Sequence, residues 1–489
     1  VSAARLAESD ARTLYLQTPT TPAYTVSVVV LEPSPGIDHA VLRGIVAVGL
    51  PRLPRFRGRL VDKPLGIGLP VWADIEGYDA HAHVHSASVP APGGQRELAE
   101  LVGRLAAAAQ HESKSLWQAW TIDGLAEGRW AVAVMTSPAL GTAPVTDLLL
   151  SAEPHPAGHP TVGAGFGPAP SVGGLVADAV TEMVQGQMAG ARILLGGVSQ
   201  AWRAARQLGY GPTESATDTT AVASMRGPVP ATVFGAPLSA RRSMRLASVR
   251  LDDVEAVSDA FGCNTATVVL TALTLSLRAW LGRHDTVPAH PLLFEVPVSS
   301  PSGDPADGRN ASAIGQIRSP VQLDDPVQIL TNLHTATERL NIANHFDPEI
   351  GAPAGDLDSL MMLLPPWAMR WAMALGAEVG QAAWHTPTGH CSVSFVSAPH
   401  GYCGAARVAA SYTSAPLAHS RGLSLTVTTG TDIMDVCVTA CPDNVAAIGE
   451  ISEGIVDAVG VLTAAAMRSP RGEGRSVVTE MNSYSRRRL

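Results

Sequence analysis

A strand followed by a capped helix occurs twice in this chain, once on each side of a stretch too rich in proline and glycine to be regular. That order restricts the fold to mixed layers built in two related halves. In the first half, "YTVSVVVLE" carries the β-branched residues of a strand, and Asp38 can cap the helix "HAVLRGIVAVGL" that follows. In the second, "MRLASVRL" alternates as a strand and Asp252 and Asp253 open the next helix. Val254, Val257, Ala260 and Phe261 form that helix's apolar stripe before Gly262 stops it. Between the halves lies "EPHPAGHPTVGAGFGPAPSVGG", Glu153 to Gly174, which reads as a long crossover loop. A helical stretch from Leu175 to about Leu208 and the polar segment "GYGPTESATDTTAVASMRGPVP" complete the linker.

Further helices follow from apolar spacing in "RELAELVGRLAAAA" and "TATVVLTALTLSLRAWL". Late strands "CSVSFVS", "GLSLTVTT" and "IMDVCVTA" precede a last helix expected from Asp443 to about Ala466. A chain of 489 residues exceeds one comfortable core at the usual ~100–250 residues per domain. The expected class is therefore α/β (α+β layers). Its units are an N-terminal domain over 1–152, a crossover, helix and linker over 153–235, a C-terminal domain over 236–470 and a basic tail over 471–489.

The net charge of −9 argues against a nucleic-acid binder, because neutralising phosphates requires clustered Lys and Arg. Arg486 to Arg488 read as a solvated tail that anionic lipid or a partner could touch. Although 46% of residues are apolar, no run reaches the ~18 consecutive apolar residues of a spanning helix. No secretory signal is visible, and five cysteines without paired spacing predict reduced thiols in a cytoplasmic protein. Cys437 and Cys441, in "CVTAC", fall within a strand pattern rather than a metal or disulfide motif.

The place where such a fold often puts its chemistry is the end of a buried strand. In "RWAVAVMTSPALGTAPVTDLLL" that turn offers Thr136, Ser137, Pro138, Gly141 and Thr142, with no histidine and no carboxylate before Asp147. As a nucleophile, Ser137 would need a base and an oxyanion site, and neither is identified nearby. "HAHVH" sets His81, His83 and His85 on one face of an extended segment, but no carboxylate or cysteine at ligand spacing accompanies them, so no metal is expected. His155 and His159 read as solvated loop residues, and "GAGFG" does not directly open a phosphate-binding helix. "LDSLMMLLPPWAMRWAMALGAEV", Leu357 to Val379, suits either a helix pair between domains or a lipid-facing surface.

Over nearly its whole length the chain resembles the bacterial wax ester synthase/diacylglycerol acyltransferase (WS/DGAT) family. The resemblance is carried in order by "LYLQTPTTPAYTVSVVVLEP", "PRFRGRLVDKPLGIGLPVW", "VPAPGGQRELAELVGRL", "SLWQAWTIDGLAEGRWAVAV", "VSFVSAP" and "SAPLAHSRGLSLTVTTG". It implies two chloramphenicol-acetyltransferase-like (CoA-dependent acyltransferase) domains with a tunnel between them for acyl-CoA and an alcohol. It also implies a His-His-x-x-x-Asp-Gly motif whose second histidine is the general base and whose aspartate holds the local architecture. Those slots read Thr136, Ser137, Gly141 and Thr142 here. A second family motif, Asn-Asp, falls on Ala266 and Thr267, and an Arg-Pro-Leu-Trp slot reads Lys114, Ser115, Leu116 and Trp117. The late Ser-Asn pair has become Ser394 and Phe395.

Two functions stay open on the sequence. One is a degenerate homologue in triacylglycerol or wax ester metabolism that binds acyl-CoA or neutral lipid, with Leu116 and Trp117 lining the tunnel, or pairs with an active acyltransferase relative. Such a protein would be cytoplasmic, or peripheral at a membrane or lipid droplet. The other is an active acyl-CoA-dependent O-acyltransferase with a base from elsewhere, for which His385, His390, His400 and His419 are the next places to look. No bound cofactor is expected, and the resemblance sets Ser137 at the centre of the inter-domain cleft.

Overall fold

The structure is a computed structural model that describes residues 4–15, 17–64, 69–112, 115–141, 145–151, 153–154, 165–181, 230–298, 313–346, 390–397, 401–418 and 421–468. Its first half opens with α1 (Glu8–Tyr15), β1 (Thr25–Leu31) and α2 (His39–Gly49). Asp38 caps α2 as expected, its carboxylate accepting the Val41 amide at 2.8 Å. Then come β2 (Gly58–Val61), β3 (Val71–Asp74), β4 (Val84–Ser88), α3 (Gln95–Glu112), β5 (Trp117–Asp123), β6 (Trp130–Thr136) and the short α4 (Val145–Leu149). A helix over Val172–Thr181, α5, follows the crossover; the rest of the expected Leu175–Leu208 helix lies outside the described residues.

The second half contains β7 (Ser243–Arg250), α6 (Leu251–Phe261), α7 (Thr265–His284), β8 (Leu292–Val298), β9 (Ala313–Ser319) and α8 (Pro326–Phe346). It ends with β10 (Cys391–Ser397), β11 (Tyr402–Cys403), β12 (Ala406–Ser414), β13 (Leu423–Thr429), β14 (Ile433–Ala440) and α9 (Gly449–Arg468). Gly262 ends α6 with φ +65, a left-handed position that costs glycine little. The last helix starts at Gly449 rather than Asp443, whose carboxylate instead accepts hydrogen bonds from Ser239 and Arg241.

Two six-stranded sheets organise these elements, in the orders β11-β12-β1-β6-β5-β4 and β7-β14-β13-β10-β8-β9. The first sheet is antiparallel except for β4 beside β5, and β10 runs parallel to both its neighbours in the second. The halves are not closed units, because β11 and β12 leave the second half to join the first sheet. β12 pairs along the outer edge of β1, from Val26↔Ser414 to Leu31↔Val408. The 236–470 boundary therefore differs from sheet membership: the free edge of β1 needs a partner for its amides and carbonyls, and a distant strand supplies it.

Three cores result. α2, α4 and the β2–β3 ribbon cover one face of the first sheet over Val29, Leu31, Trp117, Val132 and Val134. Its opposite face, with Val28, Trp120, Ala131, Ala133 and Met135, meets α3 and residues of the second sheet such as Met244 and Leu246. The far side of the second sheet is closed by α6, α7, α8 and α9. Among the described residues, α7 alone is long and apolar enough to cross a membrane, and buried Val268, Leu273, Leu277 and Trp280 place it in this core.

α5 is fixed to the first sheet's unit by charge. Asp178 meets Arg5 at 2.6 Å and the fully buried Lys63 ammonium at 2.6 Å, and these cations hold its carboxyl down at about 2. Gly165 to Gly167, the described end of "GAGFG", are pinned near them. The Asp74 carboxylate accepts the Phe166 and Gly167 amides, and Phe166 stacks on Trp72.

Candidate active site

β6 alternates between two cores, with Val132 and Val134 on one side and Ala131, Ala133 and Met135 on the other. Its last residue, Thr136, faces Thr25 of β1 and Trp117 of β5 in register. Past it, Pro138 starts a single 3-10 turn over Pro138–Leu140, and Ser137 caps that turn. Ser137 is 3% exposed and Thr136 7%. The Ser137 amide donates to the Leu116 carbonyl at 2.7 Å, and its hydroxyl oxygen accepts the Ala139 amide at 3.3 Å. Among the described residues no histidine or carboxylate is hydrogen-bonded to Ser137. Gly141 closes the turn, and Thr142 lies outside the described residues.

A nucleophile needs a base to take its proton and a free lone pair to attack. The Ser137 oxygen accepts the Ala139 amide at 3.3 Å, the contact of an N-cap residue. Neither hydroxyl at 136 or 137 can take a proton at neutral pH as an imidazole does.

Of the other resembling positions, Leu116 and Trp117 adjoin this turn, and those of the later motifs stand in the second half. Trp117 is 1% exposed in the core on the face of the first sheet turned away from the second sheet, and half-buried Leu116 packs beside it. The Trp117 indole donates to the Phe56 carbonyl at 2.9 Å, packs edge-on against Phe56 and is stacked on His83 at 4.8 Å between ring centres. Ala266 and Thr267 open α7. There the Asn264 side chain caps the helix by accepting the Thr267 amide at 2.7 Å and hydroxyl at 2.8 Å, and Thr267 also meets Thr337 of α8. Thr267 is fully buried and thus binds two helices together. Phe395 packs on the same second-half core. Thr136, Ser137, Leu116 and Trp117 thus adjoin one another at the first half's core, while Ala266, Thr267 and Phe395 stand in the second half.

Of the histidines that the sequence singles out, four lie among the described residues. His81 and His83 stand in a 3-10 turn over Ala80–His83, with only His85 on the following strand, so the three do not share the face of one extended segment. Asp79 caps that turn by accepting the His81 amide, which explains the departure from a strand. His83 bonds Ser115 through Nδ1 at 2.9 Å and is half-buried, which lowers its pKa. Buried His390 accepts the Leu293 amide on Nδ1 at 3.1 Å, so its proton sits on Nε2, which donates to the Pro230 carbonyl at 2.7 Å. Burial lowers its pKa as well, and both ring nitrogens are occupied by backbone. His385, His400, His419 and the Leu357–Val379 segment lie outside the described residues. Among the described residues no cluster of three metal-ligating side chains occurs.

Between the two sheets lies a partly open pocket of about 50 Å³, lined by Tyr24, Val26, Val102, Ala106, Met244 and Leu417. Arg242 stands at its wall and donates to the carbonyls of Thr20, Ser239 and Arg241, joining the N-terminal segment to β7. Farther along the interface is a buried polar network. Asp435 accepts the Ser411 amide at 2.8 Å and the Ser248 hydroxyl at 2.7 Å, and Tyr412 and Gln95 bond Ser248. Burial outweighs those bonds and pushes the Asp435 carboxyl up to about 6. Neither Arg242 nor Asp435 stands out in the sequence, since single polar residues in alternating strands carry no spacing signal.

This architecture of two mixed sheets exchanging a strand defines the class, a two-domain CoA-dependent acyltransferase-like fold. It matches the wax ester synthase/diacylglycerol acyltransferase from Marinobacter aquaeolei VT8 with a TM-score of 0.64 at 18% identity, over 94% of this chain and 99% of that one. A trichothecene 15-O-acetyltransferase from Fusarium sporotrichioides matches with a TM-score of 0.54 at 10% identity, over 94% of each chain. In sequence, residues 6–269 match the wax ester synthase/diacylglycerol acyltransferase catalytic domain, and the chain belongs to that family. A candidate diacylglycerol O-acyltransferase of Mycobacterium tuberculosis is 27% identical over 96% of this chain and 92% of its own length. A second from the same organism is 28% identical over 92% of this chain and 94% of its own.

Proposed function

We propose that this member of the family is catalytically degenerate and serves triacylglycerol or wax ester metabolism by binding long-chain acyl-CoA or neutral lipid, alone or beside an active relative. The observation that supports the reading is that Ser137, in the slot that the resemblance assigns to the base, caps the turn at the end of β6 and has no histidine or carboxylate bonded to it among the described residues. A positioned base is worth ~10²- to 10⁴-fold in rate, so turnover falls by that factor while apolar attraction, ~25 cal/mol per Å² of surface buried, is untouched. Such a protein acts in the cytoplasm or peripherally at a membrane or lipid-droplet surface.

Calorimetric titration with palmitoyl-CoA and with diacylglycerol in mixed micelles tests the reading. Binding in the micromolar range, about −8 kcal/mol, without product supports it. Absence of binding by a well-folded protein removes the ligand-binding part. Acyl transfer unaffected by Ser137→Ala removes the degeneracy, and places the chemistry on a base outside this turn.

A further inference from the structure

Gly141 has φ +78 and ψ −170, a backbone region that only glycine occupies without strain. A Cβ built there would lie 3.0 Å from Nη1 of Arg55 and 3.6 Å from Oδ2 of Asp10. Those two groups are themselves paired, Nη1 of Arg55 to Oδ2 of Asp10 at 3.2 Å. They come from separate elements, Arg55 from the 3-10 turn over Pro54–Arg57 and Asp10 from α1. α1 lies against the Pro138–Leu140 turn, with Ala11 fully buried in the same core as Ala139 and Leu140. A Cβ at 141 would thus already crowd the Arg55 guanidinium. The backbone forbids one, and the carboxylate of Asp10 occupies the adjoining space.

We propose that Asp10 is a positioning residue: from α1 it supplies, through Arg55, the negative charge that the strand-end turn lacks, and so keeps residues 137–141 in their folded geometry. The missing charge follows from the degenerate acyl-transfer motif proposed for this turn; the coupling of Asp10 to the turn does not depend on it. The Arg55 side chain is 39% exposed and that of Asp10 16%, so the pair is partly screened and its effect is moderate.

Hydrogen exchange of the full-length protein, followed by mass spectrometry on peptides spanning 135–141, reads the turn through its Leu140 and Gly141 amides, which bond to Ser137 and Pro138. Asp10→Asn and Arg55→Met are each expected to speed exchange there about 2- to 5-fold, the range of a partly exposed ion pair. The double variant should exchange no faster than either single one, and Asp10→Glu should stay within experimental error of wild type. A peptide covering Gly262 should be unchanged in all four, which marks the fold as intact. Additive effects in the double variant overturn the proposal, as does exchange in Asp10→Asn equal to wild type, or an Asp10→Glu variant as fast as Asp10→Asn. Because no ligand or turnover is read, failure of the functional reading leaves this outcome unaffected.

Discussion

Replacing Trp117 separates a wall of a ligand tunnel from a beam of the core. The indole is 1% exposed, sandwiched by Phe56 and His83, and its N–H is bonded to the Phe56 carbonyl. Truncation to alanine opens a cavity and removes a buried aromatic, a class of change that costs about 3–5 kcal/mol. With roughly 2–4 °C lost per kcal/mol in a unit of this size, melting of the first unit should fall by about 6–20 °C. Trp117→Phe keeps most of the volume but leaves the Phe56 carbonyl without its donor, so its cost should be nearer 1–3 kcal/mol. Chemical denaturation of the three proteins, with acyl-CoA titration of each below its transition, checks this. The account predicts graded stability loss and unchanged affinity in the folded fraction. A Trp117→Ala protein as stable as wild type but defective in binding would refute it and return Trp117 to the tunnel.

Asp178→Asn removes the carboxylate shared by Arg5 and buried Lys63 and should cost about 3–5 kcal/mol, as for a broken buried pair, read by urea denaturation. The Asp178 carboxyl is held at about 2, below its unfolded value. Its contribution is present above about pH 4 and is lost as pH falls through 2, so Asp178→Asn should flatten acid unfolding. Asp435 has the opposite sign. With its carboxyl near 6, the protonated form is the favoured one in the fold. Its contribution is full below about pH 4 and is lost as pH rises through 6, by up to about 3 kcal/mol. Asp435→Asn should therefore remove the pH dependence of stability between 4 and 7, measured by thermal melts across that range. Gly262→Ala, at φ +65, should cost about 1–2 kcal/mol, seen as a lower denaturation midpoint.

What could be read from the sequence was local. Asp38 before an apolar period and Gly262 after one announce their helix ends because a cap is a contact over three or four residues. The strand exchange was invisible, since nothing in "ARVAASYTS" distinguishes pairing with β1 from pairing with its neighbours in the chain. The histidine alternation in "HAHVH" predicts an extended segment at Ala80–His83, because alternation alone does not report the Asp79 cap that makes a 3-10 turn there. At the candidate site, the sequence showed which side chains stand in the motif slots. It could not show that Ser137 caps a turn, that Trp117 faces away from the second sheet, or that Arg55 finds its carboxylate 45 residues away in Asp10. His390 looked like a spare base until its two backbone partners, Pro230 and Leu293, were placed around it.

The central claim, that the turn after β6 no longer performs general-base chemistry, is tested most directly by incubating the purified wild-type chain with radiolabelled palmitoyl-CoA and diacylglycerol or hexadecanol. Product is followed by thin-layer chromatography across pH 6 to 9, beside Ser137→Ala. The account predicts neutral-lipid product at or near the level without protein, in both proteins and at every pH. Robust ester formation by the wild-type chain would contradict it.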